Sequence, residues 1–481
     1  MCNRQISINP IFVFTTIAIL SIALHWNIWE RDIMGIHAWR QTQTMTVVEN
    51  FAFEDMNILN PRINARGDGD GIFRMEFPLM QWVFAWAYKW FGPQLISARI
   101  LTFIISLFSI FGFYQLLRAY QQSKWISAIG TWCLSWSPVF FYYSVNPLPD
   151  NLALCFGIWS LVFLKQYQSS NQISLFILFI GFLALATAVK LPFILFGAGY
   201  LPLFVQSIRQ KTFRKVITEI AMMLFLAPTA MWYLWVIPNW GKGGIVGGIA
   251  AESSFDYIRA LNTIWGTLIS MLPELFINYG SALFFLVGVA VLFKTKMRRI
   301  WSEASILFFL LLFYLYEVNM IGMAHDYYLL PFLPFIFLIV TNGAKTLFQQ
   351  TNKTWRVIAY AALLILPFTA FIRTKDRWKT SDNNKFLVHK NALKQAVPND
   401  ALVVVGNDPS MHISLYHLAK KGWTFEQDWL SPALLEDYIN RGAQYLYSNS
   451  EKVNHDKKLA PYLEEVILEK PGITVYSLKK P

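Results

Sequence analysis

Long apolar runs joined by short polar connections dominate the chain as far as residue 373. A helix that crosses a bilayer needs about 20 apolar residues. Runs of this kind lie near 9–28, 94–117, 125–144, 151–167, 172–190, 191–208, 216–237, 277–293, 303–320, 329–346 and 356–373. The pattern predicts a mainly α, polytopic membrane domain of roughly eleven transmembrane helices over residues 1–373. One interruption is out of scale. Residues 29–93 follow the first run and carry Asp32, His37, Trp39, Arg40, Gln41, Glu49, Glu54, Asp55, Arg62, Arg66, Arg74 and Glu76. Inside this loop, residues 78–92 are apolar but short, rich in Trp, and contain Lys89. They read as an interfacial helix on the membrane surface. From about residue 374 the pattern changes. Leu402-Val403-Val404-Val405-Gly406 reads as a buried strand and Pro432 to Arg441 as an amphipathic helix ending at Gly442. Gln444–Tyr447 and Thr474–Leu478 read as further strands. Strand–helix alternation over 374–481 predicts a small α/β domain outside the membrane.

Composition agrees with the pattern. The 481 residues are 55% hydrophobic, and soluble domains average about 45–50%. The net charge of +12 does not point to nucleic acid, because its distribution follows the membrane. The connections hold, in turn, Arg118 and Lys124; Lys165; Arg209, Lys211, Arg214 and Lys215; Lys294, Lys296, Arg298 and Arg299; Lys345, Lys353 and Arg356. Every second loop is basic, and basic loops face the cytoplasm. The N-terminus is then cytoplasmic, and the loop 29–93 and the tail lie outside. Treating 78–92 as a span would invert every later loop. Cys2, Cys133 and Cys155 form no CxxC pair, and the last two lie in apolar runs. All three read as structural.

On this reading the ionisable residues collect at the outer surface: Asp32, His37, Arg40, Glu49, Glu76, Asp150, Lys190, His325 and Asp326. Ionisable groups at membrane depth are costly and default to functional hypotheses. Asp150, in Pro147-Leu148-Pro149-Asp150-Asn151, reads either as a helix N-cap or as a carboxylate held in a cavity. Arg40 reads as an interfacial anchor or as a planar donor fork for phosphate. Lys190 snorkels to headgroups or meets a phosphate. Gly241 to Gly248 is rich in glycine but lacks the Walker spacing and reads as a plain loop.

The order of these features resembles the GT-C membrane glycosyltransferases, in particular the protein O-mannosyltransferases and aminoarabinose transferases of glycosyltransferase family 39. The segments that carry the likeness are His37-Ala38-Trp39-Arg40-Gln41-Thr42-Gln43-Thr44, Glu76-Phe77-Pro78-Leu79 with the surface helix behind it, Pro149-Asp150, His325-Asp326-Tyr327-Tyr328, and the outer α/β tail. The resemblance implies an inverting transfer of a sugar from a polyprenyl-phosphate donor to an acceptor hydroxyl on lipid, glycan or protein. It places the chain in a bacterial inner (plasma) membrane, working on the cell envelope. It implies an acidic base in the first outer loop, yet the Trp-Arg-Gln-Thr-Gln-Thr stretch has none. Asp32, Glu49, Glu76, His37 and Asp150 are the candidates. Arg40, Gln41, Arg74, Lys190 and His325 are the candidates for the donor phosphate. Phe77 stands where the aminoarabinose transferases have a Lys before the proline. No metal ligands are picked out and no cofactor is called for, with a divalent cation left as an option. The acceptor is unassigned, and no nucleic-acid partner is expected. The alternative class is a transporter or flippase of lipid-linked sugars. Such proteins place polar groups near the midplane, often in repeated halves, and the chain has no repeat.

Overall fold

The computed structural model describes residues 9–239, 256–294, 300–321, 325–379 and 385–480. The glycine-rich segment 241–248 and the basic residues Lys296, Arg298 and Arg299 lie outside them. All eleven apolar runs are helical. Among the described residues, six helices are long and apolar enough to cross a membrane unaided: Leu95–Ala119, Leu191–Arg209, Phe213–Val236, Trp301–Asn319, Asp326–Phe348 and Lys353–Thr374. A seventh results if Tyr257–Phe276 and Tyr279–Phe293 count as one bent span. Other runs are shorter or broken. The run 125–144 divides into Lys124–Ser135 and Pro138–Tyr143, because Pro138 cannot continue a helix from the residues before it. The chain is a multi-pass, mainly helical membrane protein with a small sheet domain at its C-terminal end. One element differs from the sequence reading. A helix at Tyr257–Met271, capped by Asp256, occupies part of 238–276, which reads as loop because Arg259 and Asn262 interrupt its apolar residues.

Contacts divide the chain into two units, and the division interleaves the sequence. One holds Met1–Glu30, Met75–Phe77 and Ala98–Asp376; the other holds Arg31–Arg74, Pro78–Ser97 and Arg377–Pro481.

The first unit packs as a protein in lipid does. In Leu95–Ala119 the apolar Ile100, Ile104, Phe108 and Phe111 are exposed, while Thr102, Ser106 and Ser109 are buried. Their hydroxyls donate to the carbonyls of Ala98, Thr102 and Ile105, so these three hydroxyls are satisfied within their own helix. Small residues let helices approach closely. A Cβ on Gly343 would lie 1.8 Å from the Phe284 carbonyl oxygen. That contact sets Leu333–Phe348 against Tyr279–Phe293.

The second unit centres on a five-stranded sheet of order β2-β1-β3-β5-β4. The strands are β1 (Leu402–Gly406), β2 (Lys421–Phe425), β3 (Ala443–Ser448), β4 (Leu463–Lys470) and β5 (Ile473–Leu478). β1 runs parallel to β2 and β3, whereas β5 is antiparallel to β3 and β4. Val403, Val404 and Val405 are fully buried, as befits a central parallel strand covered on both faces. Residues 31–74 complete this unit. Ala65 bridges to Gly422 on the free edge of β2. The Gly422 amide donates to the Asn64 carbonyl at 3.0 Å, and the Arg66 amide to the Gly422 carbonyl at 2.8 Å. Gly422 has φ 149, and a Cβ there would meet the Val403 carbonyl oxygen at 1.8 Å. Only glycine permits that edge. Trp423 donates to the Gly67 carbonyl, and Arg441 pairs with Asp68.

Candidate active site

In the membrane unit, helix Pro149–Ser170 begins after an extended Leu148, with Pro149 in its first turn. Proline suits that position because its missing N–H is unpaired there anyway. Asp150 is not the cap: Leu148 occupies the cap position, and no side chain caps this end. Asp150 is 2% exposed. Its Oδ1 lies 3.2 Å from the Lys190 ammonium. Its Oδ2 is buried and accepts no hydrogen bond from the described residues. Helix N-terminal turns favour negative charge, so the position suits an ionised carboxylate with one oxygen in reserve.

Lys190 sits at a break. Helix Ile173–Val189 ends there, Lys190 is extended (φ −154, ψ 111), and a tighter helix follows from Leu191. Pro192 enforces the break by disfavouring helix at the residue before it. The ammonium lies over the rings of Tyr327 and Tyr328, 5.6 and 5.5 Å from their centroids, within cation–π range. His325 stacks on Tyr327 at 5.3 Å. Tyr143 donates to the Asp326 carboxylate at 2.6 Å. The segment Met75–Phe77 is held in the same neighbourhood. Phe77 N donates to the Ala188 carbonyl at 2.9 Å, Trp232 donates to the Met75 carbonyl at 3.1 Å, and Phe77 packs edge-on against Trp232. Tyr233 donates to the carbonyls of Thr187 and Ala188 and lies within electrostatic reach of both Glu76 and Asp150.

Four sequence candidates therefore meet in this unit: Asp150, Lys190, Glu76 and His325. The structure adds a fifth ionisable group, Glu317, within electrostatic reach of Lys190 and Asp150. It lies inside an apolar run, and the cost of a charge at that depth was the signal that could have found it.

The other candidates belong to the loop-and-tail unit. His37 starts helix Ala38–Phe53 in a left-handed conformation (φ 53) without a capping side chain. Arg40 is buried, 5% exposed, and donates to the Gln43 side-chain oxygen. Gln41 donates to the Ile36 carbonyl at 3.3 Å. Arg74 donates to the Leu59 carbonyl and to Asn60, tying the loop to itself. Asp32 pairs with Lys390 at 2.5 Å. Burial raises the carboxyl of Glu49 to about 7, against the pull of Lys394, Lys390 and Lys421. Among the described residues, no group of three or more His, Cys, Asp and Glu is placed to hold a metal ion. Cys133 and Cys155 are free and buried.

Residues 76–235, about a third of the chain, match the family model for dolichyl-phosphate-mannose-protein mannosyltransferases. Among solved structures, the chain is similar to ArnT from Cupriavidus metallidurans bound to undecaprenyl phosphate, with a TM-score of 0.66, 12% identity and 97% of each chain covered. The apo state of the same protein gives a TM-score of 0.61 at 12% identity, covering 96% of this chain and 98% of that one. The apo oligosaccharyltransferase of Archaeoglobus fulgidus matches with a TM-score of 0.58 at 11% identity, covering 91% of this chain and 69% of that one. A search of curated proteins by sequence finds no match. The matching model and folds are all of glycosyltransferases, and neither comparison favours the transporter alternative.

Proposed function

We propose that the chain is an inverting glycosyltransferase that moves a sugar from a polyprenyl-phosphate donor to an acceptor hydroxyl on the outer face of a bacterial inner membrane. The observation that carries this reading is the buried Asp150–Lys190 pair, whose second carboxylate oxygen lacks a hydrogen-bond partner. Asp150 Oδ2 is the acceptor for the proton of the attacking hydroxyl. The hydroxyl oxygen forms its bond to the anomeric carbon as the bond from that carbon to the phosphate oxygen breaks. The polyprenyl phosphate leaves with the electron pair, and the anomeric centre inverts. Lys190 and, once protonated, His325 stabilise the phosphate charge that develops. Arg40, in the loop-and-tail unit, is proposed as a hydrogen-bond donor to the phosphate of the donor lipid, because a planar guanidinium can bind two oxygens at once. Exposed apolar faces of the spans seat the lipid tail. The alternating basic loops support a cytoplasmic N-terminus and an extracytoplasmic tail. The deciding experiment incubates purified protein with labelled polyprenyl-phosphate sugars and searches for glycosylated product. Lack of transfer from every donor, together with vesicle uptake of a lipid-linked sugar, would reverse the reading. Parallel assays with EDTA and with added Mg2+ test the divalent cation that the resemblance allows.

A further inference from the structure

Helix Ala38–Phe53 and the loop after β1 are far apart in sequence but meet inside the loop-and-tail unit. Gln43 is 5% exposed. Its amide joins two groups: Arg40 donates to the Gln43 oxygen, and the Gln43 nitrogen faces His412 Nε2 at 3.2 Å. A guanidinium has only donors, so Arg40 fixes which end of the amide is oxygen. The amide nitrogen must then donate, and His412 Nε2 must accept. That assigns His412 as the neutral imidazole with its proton on Nδ1. Burial and the Arg40 charge favour the neutral ring, holding its pKa down to about 4 with Asp408 pulling the other way; Nδ1 itself is buried and has no hydrogen-bond partner among the described residues.

The His412 side is itself fixed. Asp408 accepts from the Ser410 amide at 2.9 Å and the Ser414 amide at 2.7 Å, and the His412 amide donates to Ser410 Oγ at 3.1 Å. The loop therefore presents Nε2 from a braced backbone. A chain of three side chains, 40–43–412, ends on the arginine of the His-x-Trp-Arg-Gln segment.

We infer that His412 is a positioning residue which, acting through Gln43, holds the Arg40 guanidinium in the orientation that receives the donor's phosphate. This rests on the proposed role of Arg40. It gives the tail domain a task in donor binding.

The test measures binding of undecaprenyl phosphate to the full-length protein in detergent, with the thermal unfolding midpoint followed alongside. His412→Ala is expected to weaken binding about fivefold, the worth of one net hydrogen bond, with a lowered unfolding midpoint because the buried Gln43 amide loses its acceptor. His412→Gln, which returns an acceptor close to the Nε2 position, restores binding to within about twofold on the same count. Gln43→Ala matches His412→Ala, and the double variant is no weaker than either single one, as expected for residues in one chain. Should His412→Ala fail to fold, Gln43→Ala and His412→Gln decide. Parental affinity in His412→Ala, or additive losses in the double variant, overturns the relay while Arg40 keeps its role. Parental affinity in Arg40→Ala removes the phosphate reading itself, and the relay with it.

Discussion

Asp150→Asn separates a catalytic carboxylate from a structural one. Asn has nearly the shape of Asp but cannot take a proton from an acceptor hydroxyl. Because the Asp150 side chain does not cap its helix, the cap-loss penalty of about 0.5–2 kcal/mol does not arise. The charge removed from the first helical turn is worth about 0.3–1 kcal/mol. More is at stake in the pair with Lys190, whose side chains are 3% and 17% exposed. Breaking such a pair outright costs about 3–5 kcal/mol. Two things reduce that here: the amide oxygen still accepts from the ammonium, and the rings of Tyr327 and Tyr328 flank the cation. The variant should therefore insert and purify with a modestly lowered unfolding midpoint. Loss of a general base lowers turnover by about 10²–10⁴-fold, equivalent to about 3–5 kcal/mol in the barrier. The assay is initial rate with labelled donor lipid at saturating acceptor, normalised to folded protein by size exclusion. A rate per folded protein within a few-fold of the parent would refute the assignment. Glu76 and Glu317 would then be tested as the base.

Three further outcomes follow from the structure. Glu49 binds its proton up to about pH 7 when folded but only to about pH 4.5 when unfolded. The loop-and-tail unit therefore loses stability as pH rises between those values; Glu49→Gln should be more stable than the parent at pH 8, by about 3 kcal/mol at most, and no more stable at pH 4, as urea titrations at both pH values would show. Gly343→Ala should cost about 1–3 kcal/mol by forcing two helices apart; Gly181→Ala, where a Cβ meets nothing within 4 Å, should leave the unfolding midpoint unchanged or raised. A reporter fused at the C-terminus should be active only in the exported compartment, and cytoplasmic activity would move the proposed active face to the other side.

The membrane architecture was legible because hydrocarbon imposes one rule on every span: a long apolar helix with its backbone satisfied internally. Asp150, Lys190 and His325 were legible for the same reason, as polar residues at the ends of such helices. The tail was read only in part. β1, β3 and β5 are apolar or alternating, whereas β2 (Lys-Gly-Trp-Thr-Phe) contains a glycine, and β4 is an edge strand with three glutamates. Neither carries the period of a half-buried strand. The Gln43–His412 contact could not be read at all, since two polar residues 369 positions apart leave no local pattern. The same holds for the roles of Asp32 and Arg74, whose partners became apparent only once the loop had folded onto itself and onto the tail.

The bridge between Ala65 and Gly422, with Trp423 and Gly67 separated by 356 residues, has a consequence for synthesis. At about 5–20 residues per second, the loop around Ala65 leaves the ribosome roughly 20–70 s before the strand that completes it. During that interval it has no sheet edge to join, and Asp32 and Glu54 lack the Lys390 and Lys421 ammonium groups with which they later pair. The loop must wait without its sheet partner while most of the membrane helices are inserted. A chain arrested anywhere before residue 421 would be membrane-embedded yet carry an unpaired loop, a ready substrate for quality-control proteases. Premature termination late in the gene should thus be read out by the cell as a defect near the N-terminus.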